Sequence, residues 1–116
     1  MSKYMQLTVR VQSYYMKNEM KKAYPSLAHR LSYLDEAWVE GGPSLFEITG
    51  KLDELLYRVE GDPPFRELLL KHKAGLHRLY EEIEERIADW QLAKADRLLY
   101  QIEDIFDDIE DELATL

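Results

Sequence analysis

Two groups of carboxylates in the second half of the chain have the side-chain type and spacing to bind a divalent cation. Carboxylate oxygens are ligands that Mg²⁺ prefers, and residues three or four apart share one face of a helix. Each group falls on a helix of its own in the predicted structure. The members of the first group and then of the second are Glu81, Glu82, Glu84 and Glu85, and Asp104, Asp107, Asp108 and Asp111.

Four of these carboxylates form a pattern with a known counterpart. Glu82-x-x-Glu85 followed by Asp104-x-x-Asp107 is similar to the metal-binding signature of the all-α nucleotide pyrophosphohydrolases. In that family the pattern is Glu-x-x-Glu and then Glu-x-x-Asp. The resemblance implies magnesium held over the phosphates of a nucleotide. It covers these four positions and departs from the family pattern at Asp104.

Helical hairpin geometry argues against one site built from both groups. If the chain turns near Ala88 and Asp89, Asp104 lies level with about Lys73, over ten residues of helix from the first group. That distance is about 15–20 Å at 1.5 Å per residue, whereas magnesium ligands must approach to about 2.1 Å. We therefore predict a solvated acidic face, with no metal and no cofactor within one chain, although a second subunit could supply missing ligands.

The histidines offer a second enzymatic hypothesis. Arg66 and His72 have an Arg-x5-His spacing, which resembles the loose Arg-x4-6-His motif of the helical HEPN ribonucleases. His72 also lies on the apolar seam of its helix, which predicts a partly buried structural histidine. His72 and His77 are five residues apart, whereas zinc-binding histidines on a helix are four apart. We assign no catalytic residue, and both enzymatic readings stay alternatives.

Composition predicts one helical domain over residues 1–116. The sequence has no cysteine, so thiolate chemistry and disulfides are excluded. It contains no apolar run long enough for a membrane span and no signal-peptide pattern at its start. We expect a cytoplasmic protein without a membrane association.

Charge is distributed unevenly along the chain. The formal net charge is −8, yet residues 1–30 hold six basic residues and one acidic residue. Residues 81–116 hold thirteen acidic residues and three basic ones. Basic residues mixed with tyrosines near the start could grip single-stranded nucleic acid. The acidic molecule as a whole repels phosphate, so we predict a protein partner instead.

Apolar periodicity places the helices. After Pro64 the apolar residues recur at steps of three and four, which predicts two long helices in a hairpin. Asp89 is predicted as the N-cap of the last helix, with Trp90 as its first residue. Earlier helices are predicted from about Pro43 to Glu60 and directly after Pro25.

The stretch Met5 to Met16 fits two templates. Alternation of Met5, Leu7, Val9 and Val11 with polar residues is typical of a strand, which would have to pair with another chain. A helix over Lys3 to Lys22 instead gathers eight residues on one half of its circumference, and we favour it. Those eight are Tyr4, Met5, Thr8, Val9, Val11, Tyr15, Met16 and Met20.

Charged residues at seven-residue spacing predict how the first and last helices pair. Such spacing keeps a charge at one position beside a helical seam. In an antiparallel arrangement each basic residue of the first helix meets an acidic residue of the last. The expected pairs are Lys3 with Glu110, Arg10 with Glu103, and Lys17 with Asp96.

The predicted fold is an all-α bundle of four or five helices that ends in a long helical hairpin. Isolated glycines inside predicted helices, Gly50 and Gly75, indicate close helix contacts. The predicted core is Met5, Val9, Met16, Leu31, Trp38, Leu52, Leu69, Leu76, Ile83, Leu98, Ile102, Phe106 and Ile109.

The predicted function is that of a non-enzymatic interaction protein, such as an adaptor, escort or inhibitor, which also forms a homodimer. The acidic C-terminal helices are expected to bind the partner, and the excess apolar surface of the first helix to mediate self-association. The partner-binding residues are Glu103, Asp104, Asp107, Asp108, Glu110 and Asp111. The self-association residues are Tyr4, Leu7, Arg10, Val11, Tyr14, Tyr15 and Lys17.

Overall fold

The computed structural model describes residues 19–116, which form seven α-helices and one 3₁₀ helix, with no strand among them. The all-α prediction is confirmed. No helix within this range is both long and apolar enough to cross a membrane. The α-helices are α1 (Glu19–Ala23), α2 (Pro25–Ser32), α3 (Glu36–Glu40), α4 (Leu45–Gly50), α5 (Leu52–Arg58), α6 (Pro63–Ala88) and α7 (Leu92–Ala114), and the 3₁₀ helix is Val59–Gly61.

Helices α6 and α7 form the predicted hairpin, and the shorter helices pack on it. Helix α2 contacts α7, α4 contacts both long helices, and α5 contacts α6. The steps of three and four put one apolar face of each long helix into the core, where each fully buried side chain contributes about 1.5–3 kcal/mol. The buried residues on these apolar faces include Leu69, Leu76 and Ile83 of α6 and Ile102 and Phe106 of α7.

The earlier segments form more helices than the periodicity predicted. The helix that begins at Pro25 ends at Ser32, and α3 starts anew because the Asp35 carboxylate accepts a hydrogen bond from the Trp38 amide at 3.0 Å. The predicted helix from Pro43 to Glu60 is interrupted at Lys51, between α4 and α5. Ser44 caps α4 by accepting a hydrogen bond from the Glu47 amide at 3.1 Å.

The hairpin turn differs from the prediction that Asp89 caps the last helix. Asp89 is instead the C-cap of α6, and α7 begins at Leu92. The Gln91 amide donates to the Arg86 carbonyl and the Trp90 amide to the Ile87 carbonyl, which is the hydrogen-bond pattern of a Schellman motif. Trp90, at a φ of 57°, occupies the left-handed position that glycine usually fills.

Eight of the ten predicted core residues that the structure describes are buried. Trp38 and Leu98 are partly buried against the core, and Met5, Val9 and Met16 lie outside the described residues. The predicted helix over Lys3 to Lys22 overlaps the described residues only at its end, in α1, so the choice between helix and strand stays a prediction. The predicted core residues that are buried are Leu31, Leu52, Leu69, Leu76, Ile83, Ile102, Phe106 and Ile109.

Candidate interaction surface on the last helix

The six predicted partner-binding carboxylates all lie on α7. None of them forms an ion pair with a lysine, arginine or histidine of the described residues. Two are half-buried, Glu103 and Glu110, and four are exposed, Asp104, Asp107, Asp108 and Asp111. We call the exposed four together with Glu103 the α7 acidic face.

Glu110 has a structural contact that the sequence does not reveal. Its Oε2 and Oε1 atoms accept hydrogen bonds from the amides of Ser26 and Leu27, each at 3.0 Å. These amides belong to the first turn of α2, whose N-cap residue, Tyr24, offers no side-chain cap. The carboxylate of α7 therefore caps α2 and neutralises its positive dipole end. This contact occupies the acceptor that we predicted would meet Lys3.

Asp107 also contacts the rest of the fold. Its Oδ1 atom accepts a hydrogen bond from the Tyr24 hydroxyl at 2.9 Å. The buried Tyr24 ring packs edge-on against Phe106, with 6.5 Å between the ring centroids. Asp107 thus fixes the junction of α1 and α2 on α7, while its exposed side chain keeps a carboxylate at the surface.

Like charges accumulate around Glu103. Partial burial raises the pKa of this carboxyl, and the nearby charges of Asp107, Asp104 and Asp96 raise it further. A cation beside Glu103 would therefore lower the cost of ionising this carboxyl.

The register of the hairpin keeps the two predicted carboxylate groups apart. A Cβ built on Gly75 would lie 3.7 Å from the Ile105 side chain, which places Asp104 level with about residue 76. The pairs between Glu82 or Glu85 and Asp104 or Asp107 are then about 9–18 Å apart along the axis. Across residues 19–116, no group of three or more histidine and carboxylate side chains is arranged to bind a metal.

The Arg66–His72 spacing does not bring the two side chains together. Residues six apart on a helix point about 120° away from each other. Arg66 donates from Nε to the Leu56 carbonyl at 3.3 Å. His72 is half-buried, as predicted, and its buried Nε2 atom has no hydrogen-bond partner in the described part of the chain. The two residues line no common cavity among those found.

Polar contacts between residues that are distant in the sequence were not predicted. Arg30 places Nη1 2.6 Å from both carboxylate oxygens of Asp62, and so connects α2 to the start of α6. His77 lies 3.2 Å from the carboxylate of Asp53. In the sequence each of these pairs is only one acidic and one basic residue type, and many such combinations form no contact.

The predicted self-association residues lie outside the described residues, and their role stays a prediction. They are Tyr4, Leu7, Arg10, Val11, Tyr14, Tyr15 and Lys17. Comparison with known proteins returned no matching family model, no matching curated protein and no matching solved structure.

Proposed function

We propose that this chain is a small non-enzymatic interaction protein of the adaptor, escort or inhibitor type. In this proposal the α7 acidic face binds a basic surface on another protein. The observation that carries the proposal is a row of carboxylates without a cationic partner among the described residues. At the N-terminal end of this row, partial burial and then the charges of neighbouring carboxylates raise the pKa of Glu103. A lysine or arginine of the partner would relieve that repulsion.

The predicted binding residues differ in their contacts within the chain. Glu110 already caps α2, so its main role is to stabilise the fold. Asp104, Asp108 and Asp111 are exposed, and no hydrogen bond to another described residue holds their carboxylates. These three therefore carry most of the proposed recognition, together with Glu103.

Co-purification from the native host tests this proposal. The tagged wild-type protein is compared with the triple variant Asp104→Asn, Asp108→Asn, Asp111→Asn. A matched control, Glu81→Gln, Glu84→Gln, Glu85→Gln, removes the same charge from exposed positions of α6. We expect one protein to be retained with wild type and control and lost with the α7 variant.

Three outcomes would contradict the proposal. Equal loss of the partner in both triple variants would show that binding depends on the net charge of the protein and not on the α7 acidic face. A magnesium-dependent nucleotide hydrolysis that disappears in Glu82→Gln or Asp107→Asn would instead revive the pyrophosphohydrolase alternative. Loss of ribonuclease activity in His72→Ala would revive the second enzymatic alternative.

We further propose that the protein is cytoplasmic and forms a two-fold homodimer, and that it does not bind nucleic acid. Support for the dimer comes from the seven-residue spacing of Arg10 and Lys17, which matches that of Glu103 and Asp96 on the last helix of a second copy. The absence of cysteine supports the location, and the net charge of −8 argues against a phosphate-rich partner.

Sedimentation equilibrium tests the dimer. We expect twice the chain mass of 13.8 kDa at micromolar concentration, and a weaker dimer for Arg10→Glu with Lys17→Glu. Arg78→Glu, on an exposed position of α6, is the control and should leave the mass unchanged. A 13.8 kDa monomer at physiological salt would contradict the dimer.

A further inference from the structure

A cavity of about 280 Å³ opens between the end of α2 and the 3₁₀ helix that precedes α6. Its volume is at the lower end of the range for small-molecule sites. Three charged side chains line it, and the rest of its wall is aromatic, aliphatic or glycine. The lining residues are Arg30, Tyr33, Leu34, Arg58, Val59, Gly61, Asp62 and Phe65.

The three charged residues leave one positive charge without a counter-ion. Arg30 and Asp62 neutralise each other, because Nη1 of the arginine lies 2.6 Å from both carboxylate oxygens. Arg58 donates from Nη2 to the Leu34 carbonyl at 2.6 Å, and this acceptor is uncharged. Within residues 19–116, Arg58 forms no ion pair with a carboxylate. The lining of the cavity therefore has a net charge of about one positive unit.

The carbonyl of Leu34 also fixes the position of Arg58. A guanidinium has five N–H donors in one plane, and this contact uses one of them. Arg58 lines the cavity, and a guanidinium with free N–H donors can bind both oxygens of a carboxylate. Because the anchoring bond holds the side chain in place, binding costs less side-chain entropy than it would for a mobile arginine.

The remaining wall of the cavity determines which chemical group can be attached to the anionic group of a ligand. Leu34, Val59 and Phe65 give the cavity an apolar side, and Tyr33 stands at its edge with 80% of its surface exposed. The exposed Tyr33 ring makes an edge-to-face contact with the His29 ring, with 5.1 Å between the two centroids. A ligand with a small apolar body beside its charged group would contact these side chains.

We propose that this cavity binds a monocarboxylate with a small apolar body, with Arg58 as the residue that recognises the carboxylate. A single negative charge matches the single uncompensated guanidinium. The carboxylate could belong to a free small molecule or to the C-terminal residue of a peptide, since both present the same group.

Titration of the ¹⁵N-labelled full chain with benzoate at low ionic strength tests the site. Benzamide, which has the same shape without the charge, is the control ligand. We expect saturable amide shifts at Tyr33, Leu34, Val59 and Gly61 with benzoate, and none with benzamide. A second arm uses a short peptide that ends in phenylalanine, with its C-terminus either free or amidated.

Variants of Arg58 tie the binding to the proposed residue. Arg58→Gln should weaken benzoate binding by about tenfold or more. Arg58→Lys retains the charge and should recover part of that loss. Arg78→Gln, on an exposed position of α6 outside the cavity, should bind like wild type. Because Arg58 is itself exposed, circular dichroism should show that each variant remains folded.

Each outcome of these titrations supports or overturns the proposal. Binding of benzoate assigns the site to free carboxylates, whereas binding of only the free-terminus peptide assigns it to chain termini. Equal shifts with benzoate and benzamide would reduce the cavity to an apolar cleft and overturn the proposal. Saturation by neither carboxylate, or undiminished affinity in Arg58→Gln, would overturn it as well.

Discussion

The Oε1 atom of Glu110 lies 3.0 Å from the amide nitrogen of Leu27, although 83 residues separate the two along the chain. Through this residue the long helix α7 accepts hydrogen bonds from backbone amides in the first turn of the short helix α2. The same residue was predicted to face a partner, and its structural use changes which carboxylates are available for binding. The α7 acidic face therefore consists of the four carboxylates that the fold leaves exposed and the half-buried Glu103 that precedes them.

Removal of the Glu110 carboxylate should destabilise the junction of α2 and α7. Two amides of α2 would lose a charged acceptor, so we expect Glu110→Ala to lower the free energy of unfolding by about 1–2 kcal/mol. Urea denaturation followed by circular dichroism measures this change. The neighbouring Asp111→Asn, which alters an exposed side chain, should change the stability by less than about 0.5 kcal/mol. Equal effects would show that Glu110 does not act as a cap.

The two helix glycines should respond oppositely to alanine. A Cβ on Gly50 would meet Tyr80 Cε2 at 2.9 Å, and that ring is stacked on Phe46 with 4.5 Å between centroids. We expect Gly50→Ala to cost about 1–3 kcal/mol through overpacking. The nearest atom to a Cβ on Gly75 is Ile105 Cδ1 at 3.7 Å, so Gly75→Ala should stabilise the protein by up to about 1 kcal/mol.

A double-mutant cycle separates this steric effect from the helix propensity. In a Tyr80→Ala background the ring that meets the new methyl group is gone, so Gly50→Ala should no longer destabilise the protein. Thermal or urea unfolding of the four proteins in the cycle measures the coupling. An unchanged cost in the Tyr80→Ala background would contradict close packing of Tyr80 on Gly50.

The long hairpin could be predicted because its evidence is local and repeated. Steps of three and four over more than twenty residues favour only a helix, and Gly50 was correctly assigned to a close helix contact. The capping role of Glu110 depends on a pairing of distant helices that one sequence does not encode in any short pattern. The Arg58 cavity likewise combines residues from two distant stretches of the chain, 30–34 and 58–65.

The error at the hairpin turn has a different origin, because the local signals there pointed to the wrong structure. Asp89 has the side chain of a helix N-cap, and no glycine marks the end of α6. The backbone nevertheless forms a Schellman motif with a tryptophan in the left-handed position. Packing of the two long helices therefore determined the turn against the preference of the residue at its centre.

Because the pKa of Glu103 is raised, a neutral residue at this position should stabilise the protein by an amount that depends on pH. Burial and the nearby carboxylates favour the protonated form in the folded protein, so ionisation reduces stability as the pH rises through the folded-state pKa. We expect Glu103→Gln to stabilise the protein at pH 7, and this gain to vanish below the ordinary glutamate pKa of about 4.3. Urea denaturation at several pH values measures the difference.

A control and a salt series complete the test of Glu103. Glu81→Gln removes a charge from an exposed position of α6 and should give no comparable gain. Added salt should reduce the gain of Glu103→Gln at pH 7, because part of it comes from repulsion that salt screens. A gain that persists unchanged at acidic pH would contradict the assignment of the effect to ionisation.

Replacing Trp90 with glycine should stabilise the protein. Its φ of 57° is unfavourable for a residue with a Cβ, at a cost of about 1 kcal/mol, while 61% of its side chain is exposed and contributes little burial. We expect Trp90→Gly to raise the free energy of unfolding by about 0.5–1 kcal/mol. Trp90→Ala removes the same indole and keeps the backbone strain, so it should give no such gain. Thermal unfolding of both variants measures the difference, and equal stabilities would show that the left-handed turn stores no strain.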